Sequence, residues 1–199
     1  MWRYGCAGLA LLAVTACLSA PPVQSIALLG GEIVVTPPAG YCVDPSAGRA
    51  ADGFAVIAAC ASLSEEGALP SVIGVATVQV GPPNSGIAYG EESGLRDLLV
   101  SDAGAKLLSA TGNGDTITVV GSQVSGRVVS VHFNDIGPPP LTGLQSEEWR
   151  AFLNMNGRLV TVAVRGPESA PLTDGTGAWL LNMMVKSLLT TVNDAADKA

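Results

Sequence analysis

Ser130 and His132 are the residues whose types and spacing best suit nucleophilic or acid–base chemistry, and Asp135 follows closely in the sequence. His132 is the only histidine, so any imidazole base must be this residue. Side chains alternate between the faces of a strand, which places Ser130 and His132 on one face. A nucleophilic serine usually occupies a tight turn beside backbone donors, however, and no G-x-S-x-G motif occurs. We therefore predict a partly exposed strand histidine without a catalytic role, and a hydrolase using Ser130 and His132 is the alternative.

The four cysteines indicate one disulfide bond if the chain is exported. Cys6 and Cys17 belong to an N-terminal region that export would remove or modify, which leaves Cys42 and Cys60. Two remaining thiols in an oxidising compartment usually pair. Free thiols and a metal or redox site are the alternatives, but the spacing is far from C-x-x-C and the chain offers a single histidine as a further ligand. We predict a disulfide bond between Cys42 and Cys60.

Three arginines form one further candidate site. Arg150, Arg158 and Arg165 flank an Asn-Gly dipeptide and are candidates for binding an anionic partner, while solvated charges at strand ends are the alternative interpretation. Adjacent glutamates point in different directions on a helix or strand, so they do not form an acid–base pair. The sequence holds no nucleotide-binding motif and no loop dense enough in oxygen ligands for calcium. We predict no catalytic residue, no metal and no cofactor.

The composition is that of an acidic globular protein. A length of 199 residues with 48% hydrophobic and 14% charged residues suits one domain with a substantial core. A formal net charge of −7 argues against nucleic acid as a partner, because phosphate binding needs a surplus of lysine and arginine. Beyond the N-terminal region, no stretch approaches the roughly 18 apolar residues of a membrane-spanning helix.

The N-terminus has the pattern of a signal peptide: a short positive start followed by the apolar segment AGLALLAVTA at 7–16. Val14-Thr15-Ala16-Cys17 resembles the bacterial lipobox, in which the cysteine sulfur is acylated and becomes the first mature residue. The resemblance implies lipidation at Cys17 and anchoring in the membrane through this lipid. Leu18 after the cysteine favours the outer membrane, with the protein facing the periplasm. Cleavage after Ser25, giving a soluble periplasmic or secreted protein, is the alternative.

The rest of the chain alternates between strand and helix patterns. Leucines recur at helical spacing between Glu91 and Ala110, which predicts a helix with Ser93 as its cap. Asp174 to Val192 carries an apolar stripe and predicts a C-terminal helix. Patterns typical of strands cover 32–36, 41–45, 54–59, 71–80, 116–120 and 127–133.

The strongest local signal is a hairpin of 148–155 and 158–165 around Asn156-Gly157. Asn-Gly suits a two-residue type I′ turn, which fixes the register so that Met155 faces Arg158 and Trp149 faces Val164. One hairpin face is then entirely apolar. We expect the C-terminal helix to cover this face, with Trp149 meeting Trp179 in the core.

These elements predict an α+β fold, a mainly antiparallel sheet flanked by a middle helix and a C-terminal helix. The predicted organisation is a signal peptide at 1–16, a tether at 17–30, one domain at 31–192 and a polar tail at 193–199. The order of elements over about 70–192 resembles the superfamily of the extrinsic photosystem II protein (PsbP-like). That resemblance implies an interaction module and transfers no functional residue.

The predicted function is that of an exported, lipid-anchored, non-enzymatic protein of the bacterial cell envelope, which binds or supports another, unknown envelope protein. The hydrolase described above is one alternative. A carrier of a small apolar ligand, held between sheet and helix, is another.

Overall fold

A seven-stranded antiparallel sheet dominates the computed structural model, which describes residues 22–65, 67–139 and 141–196. The strands are β1 Ile26–Leu28, β2 Ile33–Val35, β3 Tyr41–Arg49, β4 Phe54–Ala59, β5 Val75–Val80, β6 Ile117–Ser125, β7 Val128–Asp135, β8 Glu147–Met155 and β9 Arg158–Arg165. The helices are α1 Cys60–Leu63, α2 Glu92–Leu99, α3 Asp102–Leu108 and α4 Asp174–Ala196. The large sheet has the order β3-β4-β5-β9-β8-β7-β6, and β1 pairs with β2 separately. The predicted α+β class is confirmed.

The β8–β9 hairpin has the predicted register. Met155 pairs with Arg158 and Trp149 pairs with Val164. Asn156 and Gly157 both have positive φ, at 53° and 76°, as a type I′ turn requires. Turn chemistry and alternating hydrophobicity therefore specify the same pairing.

The C-terminal helix covers the apolar face of this hairpin. Six apolar hairpin residues on that face are each at most 3% exposed: Trp149, Ala151, Leu153, Val160, Val162 and Val164. Helix α4 packs against them through Leu180, Leu181, Met184, Val185 and Leu188. The predicted contact of Trp149 with Trp179 is wrong, because Trp179 points away from the sheet and is 44% exposed. Gly177 instead lies directly on the Trp149 indole, where any side chain would overlap the ring.

The opposite sheet face is covered by two helices where the sequence predicts one. The break falls at Val100 and Ser101, and the Ser101 hydroxyl accepts a hydrogen bond from the Gly104 amide at 3.3 Å. Gly104 allows this sharp turn because a Cβ there would overlap the backbone of Leu98. Helix α2 begins after Glu91 rather than at a Ser93 cap. Both helices contribute to a second core with Val129, Val131, Phe133 and Phe152.

Regular secondary structure also includes residues on both sides of the range 31–192. Leu28 is completely buried, and its hairpin with β2 is part of the main core, so residues assigned to the tether are folded. Val23, which directly follows Pro22, forms an isolated antiparallel bridge with Val43. At the other end α4 continues to Ala196, past the predicted end at 192. The predicted signal peptide and Cys17 lie outside the described residues, within which no helix is long and apolar enough to span a bilayer.

The β6–β7 hairpin is longer than the sequence pattern indicates. Pairing continues from Gly121 to Ser125, between the two strands that the sequence predicts, and only Gly126 and Arg127 form the turn. The register shifts between Val119 and Gly121, so this edge strand carries a β-bulge. Bulges are common where a sheet edge borders a binding site.

Candidate functional site

A cleft of about 300 Å³ opens between the β6–β7–β8 end of the sheet and the first turns of α4. Its lining is mixed in character. The polar members include Ser122, Gln123, Ser130, His132, Asp174 and Asn182, and the apolar ones include Trp149 and Leu181. A concave site with a few converging polar groups is the usual form of a ligand-binding pocket.

His132 is held in the cleft by Trp149, its direct partner on β8. The two rings stack with centroids 4.4 Å apart and planes inclined by 14°. The imidazole is 14% exposed, as predicted for a partly exposed strand histidine. Its Nε2 atom is buried and has no hydrogen-bond partner among the described residues. A buried polar nitrogen without a partner costs free energy, so its retention calls for an explanation.

Two carboxylates on different elements lie near this imidazole. Glu147 begins β8 and places Oε1 at 4.0 Å from His132 Nε2, too far for a hydrogen bond. Asp174 is the first residue of α4 and is exposed at the cleft mouth. One ligand atom from each of His132, Glu147 and Asp174 can be chosen so that all lie within 4.8 Å of one another. Imidazole nitrogen and carboxylate oxygen are the donors that divalent transition metals take from proteins.

Ser130 also lines the cleft with His132, as strand alternation predicts. Asp135, the carboxylate that follows them in the sequence, does not line it. Asp135 lies on the opposite face of β7 and is 2% exposed. Its carboxylate accepts hydrogen bonds from Thr116 Oγ1 at 2.7 Å, the Gly137 amide at 2.9 Å and the Ala110 amide at 3.2 Å. Burial by itself would raise the pKa of Asp135, yet these hydrogen bonds leave that pKa below its usual value. Asp135 is therefore a structural residue that ties the end of β7 to the loops around it.

The predicted disulfide bond is confirmed at the other edge of the sheet. Cys42 on β3 is bonded to Cys60 at the start of α1, with Cα atoms 4.9 Å apart. Both residues are at most 3% exposed. The Gln24 side-chain amide donates to Cys42 Sγ at 3.1 Å, so the segment preceding β1 covers the bond.

The three arginines of the candidate basic patch are each paired with a carboxylate. Arg150 and Arg165 both bind Glu148, at 2.5 and 2.6 Å, and these side chains are largely buried. Arg158 binds Glu32 at 2.6 Å, beside the hairpin turn. The structure thus brings Arg150 and Arg165 together but leaves Arg158 apart. Binding of an anionic partner by these residues stays a prediction, and their charges are already compensated within the fold.

Sequence reasoning missed the role of Glu147 and Asp174. In the sequence Glu147 is one of two adjacent glutamates, and Asp174 is the first residue of the predicted C-terminal helix. The one signal available was the single histidine on a strand. The pairing of β7 with β8 and the path of α4 determine which carboxylates reach it.

Comparisons with known proteins identify a distant structural similarity. No protein-family model matches the chain, and no curated protein matches it significantly. A solved structure of a mutant form of the protein Mog1 is 13% identical, with a TM-score of 0.45 over 86% of this chain and 93% of that one. The Ran-binding protein Mog1p of Saccharomyces cerevisiae is also 13% identical, with a TM-score of 0.44 over 88% and 94% of the two chains. Values this low carry no inference about function, and the PsbP-like resemblance stays a prediction beyond its α+β class.

Proposed function

We propose that this chain is an exported, lipid-anchored protein of the bacterial cell envelope that acts as a binding or assembly module, with the cleft at His132 as its recognition site. The observation that carries the proposal is the buried Cys42–Cys60 disulfide bond. Such bonds form and persist in oxidising compartments and are rare in the cytosol. The N-terminal pattern that ends in Cys17 supplies the matching route out of the cytoplasm.

The start of the folded region favours acylation at Cys17 over cleavage after Ser25. The Val23 carbonyl accepts a hydrogen bond from the Val43 amide at 2.9 Å. Gln24 covers the disulfide through its hydrogen bond to Cys42 Sγ. Cleavage after Ser25 would remove both residues and their contacts. Cleavage before Cys17 keeps them and leaves a few residues to link the lipid to the domain.

The contents of the cleft favour binding over hydrolysis. Ser130 and His132 both line it, but Ser130 is in a regular strand rather than on the tight turn, beside backbone donors, that a nucleophilic serine usually occupies. The number of polar groups in the lining also favours a polar ligand over a small apolar one. A protein or peptide segment that presents polar or charged groups fits the cleft best.

Metabolic labelling with a fatty-acid analogue tests the anchor. We expect the wild-type chain to be labelled, the Cys17→Ser variant to lose the label and to leave the membrane fraction, and the matched Cys6→Ser control to keep it. Label that persists in Cys17→Ser, or no label in the wild type, would exclude acylation at this thiol.

Site-specific photocrosslinking in intact cells tests the recognition site. A photoreactive residue at Gln123, exposed beside the cleft, is compared with one at Ser46, exposed on β3 at the other sheet edge. We expect a discrete adduct with an envelope protein from position 123 and none from position 46. The same adduct from both positions, or none from either, would contradict recognition at the cleft.

A further inference from the structure

We infer that His132, Glu147 and Asp174 form a site for a divalent transition metal ion in the cleft. The inference deepens the proposed function and rests on it in taking the cleft as the recognition site. It names the ligand that this site holds.

The buried His132 Nε2 is the first argument. Its hydrogen-bonding capacity is unused among the described residues, although nearly all buried polar atoms in proteins have a partner. Glu147 Oε1 at 4.0 Å is too distant to be that partner. Two donors of a tetrahedral metal site lie roughly 3.4 Å apart, so a modest movement of the partly exposed Glu147 side chain brings its oxygen and Nε2 to the spacing of two ligands of one ion.

The charges and spacing of the carboxylates are the second argument. Glu147 and Asp174 together carry two negative charges, which balance those of a divalent cation. The three donor atoms lie within 4.8 Å of one another, whereas a tetrahedral zinc site places its donors roughly 3.4 Å apart. Rotation of the exposed Asp174 side chain and of the partly exposed Glu147 side chain can close this difference without any backbone movement.

The rigid placement of the imidazole is the third argument. His132 stacks on Trp149, and Gly177 of α4 lies directly on the indole, so the ring has a fixed orientation before any ion arrives. Metal sites depend on neighbouring groups that orient the histidine ligand. Glu147 and Trp149 lie on the same face of β8, so one strand supplies both a ligand and the ring that orients the other ligand.

Three protein ligands leave at least one coordination position free toward the cleft. Metal sites that bind water or a ligand characteristically keep such a position open. The next residue on this face of β7, Asn134, also has a buried side-chain oxygen without a hydrogen-bond partner in the described part of the chain. A metal ion with an open position would let the cleft bind a carboxylate or another anionic group of a partner, although the protein as a whole is acidic.

Zinc titration followed by nuclear magnetic resonance tests the site. Because His132 is the only histidine, a chain labelled with ¹⁵N-histidine gives one pair of ring-nitrogen signals. Zn²⁺ is added to the full chain, purified in detergent from whichever cell fraction contains it. We expect the Nε2 signal to change in a saturable manner at one equivalent of Zn²⁺. An Nε2 signal that does not respond to Zn²⁺ overturns the proposal.

Matched variants separate this site from general binding to an acidic surface. Glu147→Gln and Asp174→Asn should each weaken Zn²⁺ binding at least about tenfold. Two control variants match these changes away from the site. Asp102→Asn alters the first residue of α3, as Asp174→Asn does in α4, and Glu91→Gln alters an exposed glutamate. Both controls should bind Zn²⁺ like the wild type. Binding that is unchanged in both site variants overturns the three-residue site. Control variants that weaken Zn²⁺ binding as much as the site variants also overturn it.

The titration and the tests of the proposed function fail independently. The Zn²⁺ titration depends neither on acylation nor on a protein partner. A chain that binds Zn²⁺ through His132 but takes up no fatty acid contradicts only the anchor. An acylated chain whose Nε2 signal does not respond contradicts only the metal site.

Discussion

The two edges of the large sheet differ in how completely the hydrogen-bonding capacity of their buried polar side chains is used. At the β3 edge a disulfide bond joins Cys42 to Cys60, and Gln24 covers it with a hydrogen bond. At the β6–β7–β8 end the sheet borders an open cleft. In the part of the chain that the structure describes, the two buried side-chain atoms that lack a hydrogen-bond partner, His132 Nε2 and Asn134 Oδ1, belong to one face of β7. Buried polar atoms without a hydrogen-bond partner are expected at functional sites. The contrast therefore distinguishes an edge that stabilises the fold from an edge suited to binding.

Glu147 and Glu148 reproduce this contrast in adjacent residues of β8. The Glu148 carboxylate bridges Arg150 and Arg165 and is almost completely buried, whereas the Glu147 side chain lies near His132 and is 40% exposed. Consecutive strand residues face opposite sides of the sheet, so neighbours identical in type perform different tasks.

Glu148→Gln should have the largest effect on stability. It leaves two buried guanidinium groups without a counter-charge, which typically costs about 3–5 kcal/mol. Glu147→Gln should change the free energy of unfolding by less than about 0.5 kcal/mol, because its side chain is partly exposed and has no hydrogen-bond partner among the residues that the structure describes. Chemical denaturation of both variants measures the difference. Similar losses in the two variants would contradict the division of tasks.

Removal of the disulfide bond should come next. The bond closes a segment with a sequence separation of 18, and loss of a crosslink of this size costs about 3 kcal/mol. We expect the Cys42→Ala/Cys60→Ala variant to unfold at lower denaturant concentration, and wild type in reductant to behave in the same way. Its His132 ring signals should stay as in the wild type. Altered ring signals in the folded variant would mean that the two edges are coupled.

Asp135→Asn should have a smaller effect that depends on pH. An amide cannot accept the same hydrogen bonds from Thr116, Gly137 and Ala110, so we expect a loss of about 1–3 kcal/mol at neutral pH. The pKa of Asp135 is lowered in the folded state from its ordinary value of 3.8. The wild-type carboxylate therefore contributes its full stabilisation at pH values above 3.8. That contribution is lost as the pH falls below this value through the folded-state pKa. Unfolding of both proteins across this range should show the stability difference shrinking toward acid, and a constant difference would contradict the assignment.

Hydrolysis of broad esterase and peptidase substrates should show the smallest effect of all. We expect no turnover above background by the wild type or by His132→Ala, because Ser130 lies in a regular strand rather than on a tight turn beside backbone donors. If the wild type turns over a substrate and His132→Ala does not, the protein is a hydrolase, and the proposal of a non-enzymatic binding module is wrong.

The middle of the chain shows where prediction from sequence reached its limit. The leucine spacing between Glu91 and Ala110 correctly indicates helix, but the break at Ser101 depends on how close Gly104 approaches the end of α2. Likewise, the apolar stripe of α4 correctly indicates which residues face the sheet. The rotation that exposes Trp179 and seats Gly177 on Trp149 is set by packing.

The sequence by itself determined features that arise from neighbouring residues. Asn156-Gly157 determines the hairpin register because the conformation of two residues aligns the strands that follow, and alternation determines which side chains share a face. Cysteine count and the N-terminal pattern together predicted the Cys42–Cys60 pair. Tertiary structure alone decided that His132 meets Glu147 and Asp174, and that Glu148 joins Arg150 to Arg165. Those groupings depend on strand order and on the path of α4, which come from burial of the whole core rather than from local spacing.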